Sequence, residues 1–80
     1  MVSYEAAQAR FAERIDLFRH DKQMTKKDFC ALIGISVSNY DYYVGGYGMP
    51  NLYTAMVIAE ALDVTLDQLL GIKRKDKNNG

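Results

Sequence analysis

Residues Thr25 to Gly46 read "TKKDFCALIGISVSNYDYYVGG", and the fold turns on them. The Thr25 side chain suits an N-cap, accepting from an early helical N–H. Asp28, three residues on, reaches back and favours the positive helix start, a variant of the capping box. Phe29, Leu32 and Ile33 then form an apolar face with Cys30 beside them, and Gly34 stands where a left-handed cap ends a helix. Ser36 is again a good N-cap. Tyr40, Tyr43 and Val44 follow at i, i+3 and i+4 before Gly45 and Gly46 stop the pattern. The spacing predicts two short helices joined by about three residues.

Upstream, Tyr4, Ala7, Phe11, Ile15 and Phe18 recur at spacings of three and four, which predicts a first helix with one buried face. Glu5, Arg10, Glu13, Arg14 and Asp16 fall on its water side. Downstream, "YGMP" is a turn, and Asn51 caps a fourth helix whose stripe is Leu52, Ala55, Met56, Ala59 and Leu62. "DVTLDQLLG" supplies Thr65 and Gln68 as another capping box, with Leu66, Leu69 and Leu70 pointing inward and Gly71 as the stop. No strand-like alternation and no internal repeat is present. The expected class is all-α with five helices.

Composition narrows the chemistry. Eighty residues, 49% of them apolar and 25% charged, make one small folded domain without room for a large cofactor. The single cysteine forms no internal disulfide, no basic segment followed by an apolar run marks a signal peptide, and no apolar stretch is long enough to cross a bilayer. The expected location is the cytoplasm. His20, the only histidine, has no metal-ligating neighbour in sequence and reads as a surface residue, while Cys30 reads as a small buried hydrophobe. Asp63 and Asp67 bracket a helix start, and "GGYG" follows a helix instead of a strand, so it is no phosphate loop. No catalytic residue, metal or cofactor is expected. Formal net charge is zero, yet the end of the chain gathers Lys73, Arg74, Lys75 and Lys77 against Asp76 alone.

The two short helices with a glycine at their joint fit the helix-turn-helix motif. Beyond that, "IDLFRHDKQMTKKDFCALIGIS", "Y..GG...P" and "LYTAMVIAEALDVTLDQLLG" together resemble the Cro/CI-type (Xre) helix-turn-helix family of phage and plasmid repressors and bacterial regulators. The matching features are Arg19, Thr25, the Gly34-Ile35-Ser36 turn, Tyr43, Gly46, Pro50 and the run from Ile58 to Leu70. The resemblance divides the chain into an N-terminal extension of the first helix (1–14), a helix-turn-helix DNA-binding domain (15–71) and a flexible basic tail (72–80). It implies a repressor-like regulator acting as a homodimer on double-stranded DNA, without membrane.

Carried over residue by residue, the resemblance implies that the third helix enters the major groove with Val37, Ser38, Asp41 and Tyr42 exposed toward base edges. Thr25, Lys26, Asn39, Tyr47 and Asn51 inherit contacts to phosphates, with Lys22 and Lys27 flanking them. Tyr40 and Tyr43 lie on the apolar stripe and read as core. Two departures stand out. Family members usually carry glutamate at the position of Val44, paired with the arginine of the first helix; Arg19 must therefore turn to another carboxylate, Asp16 or Glu60, or stay exposed. Basic residues common on the third helix and its following loop are replaced by Tyr42, Gly45, Tyr47, Gly48 and Met49. That deficit keeps a rival in view, a protein-interaction module or antirepressor gripping a protein partner with Val37, Tyr42, Tyr47 and Met49. An antitoxin combining both surfaces is a third reading.

Overall fold

The computed structural model describes residues 2–73, so the basic run beyond Lys73 lies outside the described residues. Five helices follow one another: α1 (Tyr4–Asp21), α2 (Lys26–Ile33), α3 (Val37–Val44), α4 (Leu52–Leu62) and α5 (Leu66–Leu70). Among the described residues there is no strand.

Each helix begins on a side-chain cap. The oxygens of Ser3, Thr25, Ser36, Asn51 and Thr65 accept from the backbone N–H three residues on, each such cap worth about 1 kcal/mol. At α5 the box is reciprocal, because Gln68 Oε1 accepts from Thr65 N–H at 2.8 Å while Thr65 Oγ1 accepts from Gln68 N–H at 3.0 Å. Gly34 closes α2 with φ +76°, in the left-handed region that a side chain disfavours. Asp63 ends α4 in the same conformation without being a glycine.

Phe11 and Ile15 of α1, Phe29 and Cys30 of α2, Tyr40 and Tyr43 of α3, Ile58, Ala59 and Leu62 of α4 and Leu69 of α5 form one buried cluster. Edge-to-face ring pairs, Phe11 with Tyr43 and Phe29 with Tyr40, both at 5.8 Å, lock α3 between α1 and α2. The N-terminal half of α1 packs along α5, where Arg10 and Arg14 donate to the carbonyls of Gly71 and Gln68 at the negative end of the helix.

Several residues expected inward are exposed: Tyr4, Leu32, Leu52, Met56 and Leu66. In α4 the buried face is centred on Ile58 and Leu62, about a third of a turn from the Leu52–Met56 edge of the expected stripe. Leu52, Tyr53 and Met56 therefore stand together on the outer side, with Leu52 78% exposed.

Candidate nucleic-acid interface

The turn between α2 and α3 is held by the Cys30 carbonyl, which accepts from both Gly34 N–H and Ile35 N–H at 2.9 and 3.1 Å. Successive helical residues advance by about 100°, so with Tyr40 and Tyr43 buried, Val37, Ser38, Asp41 and Tyr42 share the outward arc of α3. All four are exposed, as read from the sequence.

Arg19 fixes where that arc points. It is 8% exposed, yet fully paired: Nε donates to Tyr40 Oη at 2.8 Å, Nη1 to the Met24 carbonyl at 2.6 Å and Nη2 to Asp16 Oδ1 at 3.0 Å. The Tyr40 hydroxyl in turn donates to Asp16 Oδ1 at 2.7 Å. Asp16, one of the two expected carboxylates, thus takes the place of the missing glutamate, Glu60 does not, and Arg19 is not exposed. Val44, at the position of the missing glutamate, is partly buried and packs against the core. Burial pushes the Asp16 carboxyl up, but hydrogen bonds from Tyr40 and Arg19 outweigh it and hold the group below its ordinary range. Burial and the Asp16 bond push the Tyr40 phenol well above its ordinary value, so it stays protonated and keeps donating. His20 is exposed with Nε2 3.6 Å from Asp16 Oδ2, and Cys30 is buried, its thiol pushed up by burial.

Two of the expected contact residues are occupied with each other. Lys26 Nζ donates to Asp41 Oδ1 at 2.8 Å, joining the start of α2 to the outward arc of α3. Sequence reasoning missed this pair, since fifteen positions separate the two residues. Tyr42 stacks on Tyr47 with ring centroids 6.1 Å apart. Asn39 Nδ2 turns toward the Tyr43 hydroxyl at 3.5 Å. Gly45 and Gly48, which in sequence read only as a helix stop and as replacements for basic residues, lie directly against the rings of Tyr47 and Tyr42; the only signal for those contacts was their position either side of an aromatic in "GGYG".

The caps at Thr25 and Asn51 remain chemically open. A threonine hydroxyl that accepts from Asp28 N–H still has its own proton to donate, and an asparagine whose Oδ1 accepts from Thr54 N–H still has two amide hydrogens. Both stand at helix N-termini, where the backbone dipole favours an anion. Among the described residues no group of histidine, cysteine or carboxylate side chains could hold a metal ion. No helix among them is long and apolar enough to cross a membrane.

Comparison with known proteins agrees with this geometry. A family model described as the Cro/C1-type HTH DNA-binding domain matches residues 14–75. The cryptic phage CTXphi transcriptional repressor RstR of Vibrio cholerae is 32% identical over 69 residues, covering 86% of this chain and 62% of that protein. The HTH-type transcriptional regulator AnsR of Bacillus subtilis is 32% identical over 63 residues, covering 79% and 54%. The chain thus spans less than two thirds of the length of either relative. The crystal structure of the restriction-modification controller protein C.AhdI from Aeromonas hydrophila superposes with a TM-score of 0.70 at 22% identity, covering 78% of this chain and 94% of the other, a likeness of fold. With the matched region taking in the C-terminal part of α1 and all of α2 to α5, both turn-flanking helices complete, this chain belongs to the Cro/C1-type helix-turn-helix DNA-binding family.

Proposed function

We propose that this chain is a sequence-specific transcriptional regulator that acts in the cytoplasm by occupying operator DNA, without catalysis. In this reading α3 enters the major groove. Ser38 and Tyr42 hydrogen-bond base edges, Asp41 accepts from a base amino group and Val37 touches a thymine methyl. Thr25, Lys26, Asn39, Tyr47 and Asn51 hold phosphates. The observation that carries the reading is the anchored α3: a helix with four exposed side chains on one arc, its buried side pinned through Tyr40 to Arg19 and Asp16.

The outward arc carries no lysine or arginine, and phosphate neutralisation supplies most non-specific affinity. Useful binding therefore requires two copies on half-sites roughly 34 Å apart. The exposed Leu52, Tyr53 and Met56 of α4, with Leu66 of α5, give the homodimer its apolar face.

The test is fluorescence anisotropy of the chain on duplexes selected from a randomised library, against scrambled duplexes, across a salt series. A preference for the selected duplex with a negative log-log salt slope is expected. Tyr42→Ala changes which sequences are preferred, whereas Lys26→Ala weakens all duplexes alike. Equal, salt-independent curves for folded protein on both duplexes would refute the reading.

A further inference from the structure

The segment after α3 carries two glycines whose side-chain space is already taken by tyrosine rings. A Cβ on Gly45 would stand 2.5 and 2.7 Å from Cε2 and Cδ2 of Tyr47, and one on Gly48 would stand 2.8 Å from both Cζ and Oη of Tyr42. The rings meet each other as well, centroids 6.1 Å apart and planes 28° apart. Gly46, at φ +78°, turns the chain so that Tyr47 N–H returns to the Tyr42 carbonyl at 3.1 Å. Gly48 and the Tyr47 ring, itself seated on Gly45, thus flank Tyr42, a residue 50% exposed on the outward arc of α3.

We infer that Gly45 and Gly48 are specificity-determining residues that act through Tyr42, by fixing the orientation of its ring and hydroxyl; the inference rests on the proposed DNA reading of α3. An unsupported tyrosine samples several staggered side-chain conformations, and its hydroxyl sweeps across more than one base edge. Tyr42 is instead held between a neighbouring ring and a bare backbone, so its hydroxyl meets a groove in one orientation. Preorganisation of this kind strengthens discrimination by lowering the ordering cost at the matched base.

The two glycines are not there for backbone freedom. Gly45 has an ordinary helical φ of −74°, and Gly48 is absent from the positive-φ residues. The closest atoms an alanine at Gly48 would meet belong to the far end of the Tyr42 side chain, which can swing aside. Gly48→Ala therefore moves Tyr42 and leaves the fold in place. Tyr47 is a positioning residue for the same ring, and its hydroxyl is free to serve a phosphate independently.

The experiment is selection of bound duplexes from a randomised library, read by sequencing. It uses the full chain as wild type, Gly48→Ala, Tyr42→Ala, the double variant, Tyr47→Leu and Tyr47→Phe. Ring-to-ring nuclear Overhauser effects report on Tyr42. Gly48→Ala is expected to lose the Tyr42–Tyr47 effects, keep those of Phe29 with Tyr40, and lower discrimination at one base step roughly five- to tenfold. Its salt slope should stay unchanged, because no phosphate contact is removed. In the Tyr42→Ala background, Gly48→Ala should add nothing. Tyr47→Leu should lose the same discrimination as Gly48→Ala on top of the general weakening seen in Tyr47→Phe, and decides the matter if Gly48→Ala does not fold. Tyr47→Phe should keep the preference while weakening all duplexes.

Wild-type preference in Gly48→Ala or Tyr47→Leu, with the ring effects lost, would overturn the inference while leaving the DNA reading intact. So would independent effects in the double variant. A wild-type chain that selects no sequence would overturn the DNA reading and the inference together.

Discussion

Tyr40→Phe removes one oxygen and keeps everything else about the buried ring: its packing against Phe29 and the Arg19 guanidinium 5.6 Å from its centroid. The lost oxygen accepted from Arg19 Nε at 2.8 Å and donated to Asp16 Oδ1 at 2.7 Å. Hydrogen bonds to charged groups are worth about 1.5–3 kcal/mol net, and the larger loss falls where the abandoned group cannot reach water. The Arg19 side chain is 9% exposed, so its orphaned Nε–H bears nearly the whole penalty, about 2 kcal/mol. The Asp16 side chain is 36% exposed, so water replaces much of the second bond and the loss there is about 1 kcal/mol or less.

The sum, about 2–3 kcal/mol, corresponds to roughly 10–20 °C in Tm for a domain of this size. Urea unfolding of both proteins at neutral pH, followed by far-UV circular dichroism, measures it directly. A loss under about 0.5 kcal/mol would mean that water or a shifted Arg19 satisfies the site, and the anchoring role of Tyr40 would be refuted. The cycle with Asp16→Asn sharpens the point: two residues sharing one network should couple by about 1 kcal/mol, and additive losses would refute the shared acceptor.

Three further outcomes are expected. Asp41→Asn removes the ion pair at 2.8 Å that Lys26 must break to reach a phosphate and the carboxylate proposed to face a base, so mismatched duplexes should tighten and discrimination at one base step should fall, measured by anisotropy; unchanged discrimination would mean Asp41 faces no base. Met56→Glu sets a charge in the exposed α4 face and should convert the proposed dimer to monomer in sedimentation equilibrium while leaving the circular dichroism spectrum intact; a dimer that survives would move the interface elsewhere. Asp16 has a folded-state pKa below its unfolded value, so its stabilisation is present above about pH 4 and lost as pH falls through the lower folded value. Asp16→Asn should flatten the acid limb of a pH–stability curve, and parallel acid limbs would contradict the assignment.

What the sequence disclosed follows from how local each interaction is. The caps were readable because Thr25, Ser36, Asn51 and Thr65 act on N–H groups three residues away. Asp16 was readable as a partner of Arg19 for the same reason, lying three residues before it on one helix. Tyr40 was not, because 21 positions separate it from Arg19 and only the packing of α3 on α1 brings them together. Periodicity marked α4 as amphipathic but could not choose between two neighbouring arcs, both apolar, and so assigned Leu52 and Met56 inward. The contacts of Gly45 and Gly48 depend on the side-chain conformations that the nearby Tyr47 and Tyr42 rings adopt. No spacing rule encodes that.

The neutral face of α3 changes what kind of binder the proposed regulator can be. With Lys26 tied to Asp41 and no other cation on the outward arc, little attraction is available to arbitrary duplexes, since that attraction comes from phosphate neutralisation. The exposed pair itself is worth at most about 1 kcal/mol, so it opens when something better is offered. In the proposed reading Lys26 turns to a phosphate at a matched site, and Asp41 is left facing a base edge, where a carboxylate is welcomed by a cytosine amino group. It is repelled by the paired acceptors of guanine. At a mismatched site Asp41 meets an acceptor and is repelled, while Lys26 still reaches its phosphate. A reading surface poor in positive charge thereby gains selectivity from repulsion, and its weak grip per copy is why a second copy is required.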